Sequence, residues 1–157
     1  MENNKVKIAR YKTIPFTVNY TDNGRTLTYK WLGSKNGKPE IKDIESYVAE
    51  WLNYATTTFK EGELVIVDET ELGKELKENI ADRDKLEDNI HTFEEIKTML
   101  ELPITKMKKE LAKITFDNEK KFVIEVAKQI KLDSMQKQEF IAEWIEIDRD
   151  LLFDIKD

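Results

Sequence analysis

Phe16-Thr17-Val18-Asn19-Tyr20-Thr21-Asp22-Asn23-Gly24-Arg25-Thr26-Leu27-Thr28-Tyr29-Lys30-Trp31 decides the fold class of this chain. Side chains of an extended chain alternate between two faces, so Phe16, Val18 and Tyr20, then Leu27, Tyr29 and Trp31, each form one apolar face. Between them, Thr21-Asp22-Asn23-Gly24-Arg25 supplies residues that tolerate positive φ, which predicts a tight hairpin. Working outward, Val6 and Ile8 predict an earlier strand, and residues 33–39 read as an exposed Gly/Pro loop. Ile41, Ile44, Tyr47, Val48, Trp51, Leu52 and Ala55 recur every three or four residues, the stripe of a helix facing the sheet. Residues 56–59 are expected to add a short edge strand. Lys60-Glu61-Gly62 then turns the chain into the apolar run Leu64-Val65-Ile66-Val67, a buried strand.

The pattern changes at Asp68. Residues 68–88 hold nine acidic and four basic side chains, and Leu72, Leu76 and Ile80 sit at helical spacing. That register does not carry to Leu86 and Ile90, so the stretch is expected to be an acidic linker helix. Thr92 with Glu95 predicts a capping box opening a helix through Phe93, Ile96, Met99 and Leu100. Pro103 suits the first turn of the next helix, continued by Met107, Leu111 and Ile114. Asp117 is expected to cap a third helix with Phe122, Val126 and Ile130 inward. Asp133 is expected to cap a fourth, with Gln136 at the box position and Met135, Phe140, Ile141 and Trp144 as its apolar face. The expected fold is α+β: a small antiparallel β-sheet with one packed helix (residues 1–67), a charged connector (68–90) and a small helical bundle with an apolar tail (91–157).

The 157 residues carry a net charge of -6, unevenly spread. Residues 1–67 have ten basic and eight acidic side chains, net +2, whereas residues 68–157 have 16 and 24, net -8. A duplex-binding protein draws its affinity from phosphate neutralisation, so this balance disfavours nucleic acid. The absence of cysteine excludes disulfides and thiolate metal sites. No apolar run approaches the roughly 18 residues of a membrane span, and the start lacks the apolar stretch of a signal peptide, so a soluble protein made in the cytoplasm is expected, with no membrane partner.

Candidate chemistry is sparse. His91 is the only histidine, and its place just before a helix start suits a capping-region residue better than a catalytic one. Residues 33–38 are one residue short of phosphate-loop spacing, and Pro39 stands where a Ser or Thr would hold magnesium, so they read as a surface loop. Asp148-Arg149-Asp150 and Asp82-Arg83-Asp84 pair carboxylates, but a spacing of two on a helix points them apart, and each intervening Arg opposes a cation. Lys106, Lys108, Lys109, Lys113, Lys120 and Lys121 cluster around a predicted turn between helices, the candidate nucleic-acid surface. The cluster contains no Arg for guanine readout, and a solvated lysine face is the simpler reading. Trp31, Trp51 and Trp144 are expected in the cores. In the tail, Leu151, Leu152, Phe153 and Ile155 would either fold back on the bundle or bury against a partner, and they form the candidate partner-binding set. No catalytic, cofactor-binding or metal-ligating residue is expected.

Tyr47-Val48-Ala49-Glu50-Trp51-Leu52 followed by Phe59-Lys60-Glu61-Gly62-Glu63-Leu64, then the helical runs Leu102-Pro103-Ile104-Thr105-Lys106-Met107-Lys108-Lys109-Glu110-Leu111 and Glu125-Val126-Ala127-Lys128-Gln129-Ile130-Lys131-Leu132-Asp133-Ser134, add a further pointer. The arrangement resembles the YqbF-like small proteins of bacteriophages and prophages, which pair a β-rich N-terminal module with a short helical one. The resemblance implies a gene among head-morphogenesis genes, with no enzymatic activity, catalytic residues or cofactor. Some relatives end in a DNA-associated helix-extended-loop-helix module, from which this chain departs by having more helices and an acidic balance. The expectation is a non-enzymatic virion protein of the phage head, a capsid-decorating or head–tail junction accessory protein. Its expected partner is the major capsid protein or a neighbouring head protein, with self-association as a further option. The near-neutral β-rich half, through its sheet edge, is expected to carry the contact. A nucleic-acid-binding accessory protein using the lysine cluster is the alternative.

Overall fold

Strand β1 (Lys5–Arg10) is the centre around which the N-terminal half forms. In the computed structural model, which describes residues 4–153, β4 (Glu40–Glu45) and β5 (Val65–Ile66) flank β1, both antiparallel. β2 (Phe16–Asp22) and β3 (Arg25–Trp31) form a separate two-stranded sheet, in register from Phe16 against Trp31 to Asp22 against Arg25. Asn23 and Gly24 at its tip have φ of 52° and 77°. Two consecutive positive values define the turn whose twist matches that of paired strands, as the Asn-Gly pair predicted. The fold is mixed α+β, but the expected single sheet is two. The indole Nε1 of buried Trp31 donates to the Ile8 carbonyl at 3.1 Å and ties one sheet to the other.

Two expectations for this half are corrected. Residues 40–45 were expected in the helix that carries Ile41 and Ile44, yet they form β4, because β1 would otherwise present an unpaired edge. Val6 stands opposite Ile44, and the Ser46 N–H still reaches the Asn4 carbonyl at 2.7 Å before α1 (Ser46–Ala55) begins. Ile41 consequently lies 53% exposed on the outer face. Residues 56–59 make a turn rather than an edge strand, with Thr56 Oγ1 donating to the Leu52 carbonyl at 2.5 Å.

The acidic stretch after Asp68 is not a free connector. It breaks into α2 (Glu71–Glu78), a 3-10 turn (Arg83–Lys85) and α3 (Leu86–Asn89). Leu76 and Ile80 are buried in the same core as Val6, Ile8, Trp31, Ile44, Val48, Leu52, Phe59 and Leu64. Burying each such side chain contributes roughly 1.5–3 kcal/mol, enough to outweigh the tendency of a charged segment to stay solvated. The chain divides after Phe93 into two compact units, residues 1–93 and 94–157, in place of the expected boundaries at 67/68 and 90/91.

Buried polar groups hold the loops of the first unit. Arg10, 4% exposed, donates from Nε to the Ile14 carbonyl at 2.9 Å and from Nη1 to the Glu63 carbonyl at 2.7 Å and its carboxylate at 3.2 Å. Its guanidinium also lies 5.1 Å from the centre of the Phe16 ring. Lys12 Nζ donates to the Gly62 carbonyl at 3.0 Å. Asp68 accepts from the Lys7 N–H at 2.9 Å, the Thr70 N–H at 2.8 Å and the Thr70 hydroxyl. Burial raises the Asp68 pKa, but the Thr70 and Lys7 donors outweigh it and hold the carboxyl below its ordinary 3.8.

The second unit is helical: α4 (Phe93–Glu101, whose first residue belongs to the first unit), α5 (Ile104–Ala112), α6 (Asp117–Gln129), α7 (Met135–Ile145) and α8 (Arg149–Leu152). Ile96, Leu100, Met107, Leu111, Phe122, Val126 and Ile141 are buried, as their spacing predicted. The caps shift by a residue. Ser134, not Asp133, caps α7 by accepting the Lys137 N–H, and Asp117 is the first residue of α6 rather than its cap. Met135 is 58% exposed rather than inward.

Gly33 has φ of 114°, and a Cβ there would collide with the Thr13 backbone, whereas a Cβ on Gly24 would meet open space. Gly33→Ala should therefore cost about 2 kcal/mol or more and Gly24→Ala about 1 kcal/mol, read from urea midpoints. Asp68→Ala should cost about 2 kcal/mol at neutral pH. Because the folded pKa lies below the unfolded one, this stabilisation is complete above about pH 4 and disappears as pH falls through the folded value. Equal destabilisation by the variant at pH 2 and pH 7 would contradict the assignment.

Candidate functional site

Helix α1 buries Val48, Ala49 and Leu52 against the strands, and that choice of face turns Tyr47 and Tyr54 outward at 47% and 80% exposure. Tyr47, Trp51 and Tyr54 are spaced four and three apart and so share one side of the helix. The hairpin brings Tyr20 to the same place. Its ring centre lies 5.7 Å from that of Tyr47 and 5.2 Å from that of Trp51, which it meets edge-on at 72°. Trp51, expected as a core residue, does pack against the core, but it is only half-buried and its remaining surface forms part of this ridge. Edge-to-face packing favours the ring quadrupoles and fixes the rings relative to each other. Beside them, Tyr20, Asp22, Asn23, Arg25, Leu27 and Tyr47 line a small cleft of about 170 Å³.

The electrostatics of this ridge are mild. Desolvation, then the carboxylate of Asp22, then Tyr54 and Tyr47 raise the Tyr20 pKa above its ordinary 10.0, so the phenol stays neutral and donor-competent throughout the physiological range. Among the described residues, none accepts a hydrogen bond from the hydroxyls of Tyr20, Tyr47 or Tyr54, or from the Trp51 indole N–H. The ridge is thus an apolar surface with several free donors, on a helix and a strand that hold it rigid. Sequence reading missed it because Tyr47 and Trp51 fell on the same helical stripe as Val48 and Leu52, and nothing in the spacing says which flank of a broad stripe is covered.

The other candidate residues are dispersed. Lys108 lies over the Phe140 ring and Lys120 over the Trp144 ring, each 5.4 Å from its centre, and Lys113 pairs with Glu110 at 3.0 Å. Lys106, Lys109 and Lys121 are exposed. Half of the lysine cluster is thus occupied within the second unit. Trp144, half-buried, rests under one of these lysines rather than inside the bundle. Of the tail, Leu152 and Phe153 are buried, Leu151 is 81% exposed, and Ile155 lies outside the described residues. His91 is half-buried immediately before α4. Residues 33–38 close into a tight turn, Lys35 and Lys38 exchanging backbone hydrogen bonds of 3.0 and 2.9 Å.

Three of the four carboxylates of the two acidic pairs are occupied as well. Asp148 caps α8 through the Asp150 N–H, Arg149 pairs with Asp150 at 3.3 Å, and Asp82 pairs with Lys60 at 3.6 Å. A shallow cleft of about 640 Å³ beside α7 and α8 is lined by Glu139, Glu143, Glu146, Asp148 and Asp150, with Arg149 among them. No group of three or more carboxylate or imidazole side chains among the described residues is placed to hold a metal ion. Among the described residues, no helix is long and apolar enough to cross a membrane.

Fold and ridge together define a two-unit α+β protein with an exposed aromatic surface on its first unit. The model described as the YonA N-terminal domain matches residues 4–82, and that of the YonA C-terminal domain matches residues 92–151. The chain belongs to the YonA family, a phage-related family. The expected phage association stands at that level, and the family matched is YonA rather than the YqbF-like one. The N-terminal match runs past residue 67 through α2, in keeping with the packing of Leu76 on the first core. No curated protein and no solved structure matches the chain.

With Lys108, Lys113 and Lys120 engaged inside the second unit, the protein should not retard duplex DNA at physiological salt in a mobility-shift assay. Binding that weakens steeply with added salt, and that is lost on changing Lys106, Lys109 and Lys121 to Gln, would restore the nucleic-acid reading.

Proposed function

We propose that this phage protein is a non-enzymatic virion component that attaches to the outside of the head shell or to its junction with the tail. The observation that carries the reading is the ridge of Tyr20, Tyr47, Trp51 and Tyr54. Interfaces draw most of their energy from a few tyrosine, tryptophan and arginine side chains held on rigid elements, and these four lie together on a helix and a hairpin. The major capsid protein or a neighbouring head protein is the proposed partner.

The ridge suits attachment better than the sheet edge first expected to provide it. Edge strand β4 carries Glu40, Lys42, Asp43 and Glu45, and ion pairs join Lys42 to Glu40 at 3.5 Å and Asp43 to Lys7 at 3.2 Å. Charges along an edge oppose strand addition.

In co-sedimentation with purified heads, the full-length Tyr47→Ser/Tyr54→Ser double variant should lose attachment by tenfold or more, about 1.4 kcal/mol, while melting at the wild-type temperature. Leu151→Ser serves as the comparison and should attach normally. If Leu151→Ser detaches the protein and the tyrosine variant does not, the contact lies on the second unit.

A further inference from the structure

Accepting that the ridge is the docking surface, we propose that it takes an extended, proline-rich segment of the partner in the polyproline II conformation. The inference rests on matching donors to acceptors. Tyr20, Tyr47, Trp51 and Tyr54 present up to four N–H and O–H donors with no acceptor among the described residues. Any occupant that covers this apolar surface must bring acceptors, because a donor buried without a partner costs about 1–3 kcal/mol. A helical partner has satisfied its backbone carbonyls internally, and a β-strand joining the open edge of β2 would direct its carbonyls at that backbone instead of at the side-chain donors of the ridge. A polyproline II segment makes no internal hydrogen bonds and projects free carbonyls, and its proline residues bring no N–H that would need an acceptor.

Shape agrees with this. Tyr20 standing edge-on to Trp51 leaves ring faces and a neighbouring cleft of about 170 Å³, small enough for one side chain or ring. Tyr47 lines that cleft, and Trp51 and Tyr54 follow it along the same side of α1, extending the surface toward a second apolar side chain of the same extended segment. Charge adds a preference. Asp22 lines the cleft, and Glu50 is exposed on α1 between Tyr47 and Tyr54, against a single Arg25. The surface is therefore net negative, and a basic residue flanking the prolines complements it.

The test uses the full chain and a synthetic peptide of ten prolines followed by arginine, with a Gly-Ser peptide of equal length ending in arginine as the control. Binding is read from the indole N–H resonances in a heteronuclear NMR titration, with the Trp51 signal assigned by Trp51→Phe. The proline peptide should move the Trp51 signal saturably and leave that of Trp31, which is bonded to the Ile8 carbonyl, in place. Tyr47→Ser/Tyr54→Ser should weaken binding at least tenfold, and replacing the terminal arginine by glutamate should weaken it further. No shift at millimolar peptide, or equal shifts with the Gly-Ser peptide, overturns the proposal. So does a Trp51 shift that follows protein concentration without peptide, which would assign the ridge to a second copy of the chain. If the tyrosine variant detaches from heads while wild type ignores the proline peptide, docking through the ridge stands and only the occupant's chemistry is wrong.

Discussion

The guanidinium of Arg10 is the constraint on which the N-terminal unit depends. It sits at the end of the central strand, 4% exposed, and fastens the β1–β2 loop through Ile14 and the turn before β5 through Glu63. Burying a cation costs several kcal/mol unless it is paired and hydrogen-bonded, and here two carbonyls and a carboxylate accept from Nε and Nη1 while the Phe16 ring lies beneath the guanidinium. Because Phe16 opens β2, the same side chain sets where the hairpin starts. The position of Tyr20, and with it the ridge, follows from a buried charge at the far end of the strand.

A second dependency runs through α1. The helix can begin only after β4 has completed its ladder with β1, at Ser46. That start sets the helical phase: Val48, Ala49 and Leu52 meet the strands, and Tyr47 and Tyr54 face outward. Moving the start by one residue would rotate the stripe by about 100° and bury the tyrosines instead. The surface that distinguishes this unit is thus a by-product of strand pairing, which explains how a protein with few unusual residues acquires a concentrated interaction face.

The second unit handles its charge differently. Lys137 crosses from α7 to the Leu100 carbonyl near the end of α4, at 2.6 Å, satisfying an acceptor that a helix C-terminus leaves open. Lys108 and Lys120 lie over aromatic rings that would otherwise be more exposed. A charged small bundle therefore spends part of its lysine content on covering its own surface, and a cluster visible in sequence need not be a binding face.

Local patterns in the sequence determined much of this protein. The Asn23-Gly24 hairpin, the strand face of Val6 and Ile8, and the buried stripes of α4 to α6 all follow from period and turn chemistry, which act within a few residues. Ser134 in place of Asp133 at a cap is a small displacement, since both residues can accept the same kind of N–H. What only tertiary structure decided was competition between distant segments. Ile41 and Ile44 fit a helix as well as a strand, and the unpaired edge of β1, more than thirty residues away, settled the matter. Leu76 and Ile80 sit in an acidic stretch that reads as a solvated connector, and the apolar surface left open by the strands and α1 drew them in. The ridge was illegible for the same reason. Its residues are apolar enough to be core, and whether an aromatic side chain is covered depends on what other parts of the chain have already filled.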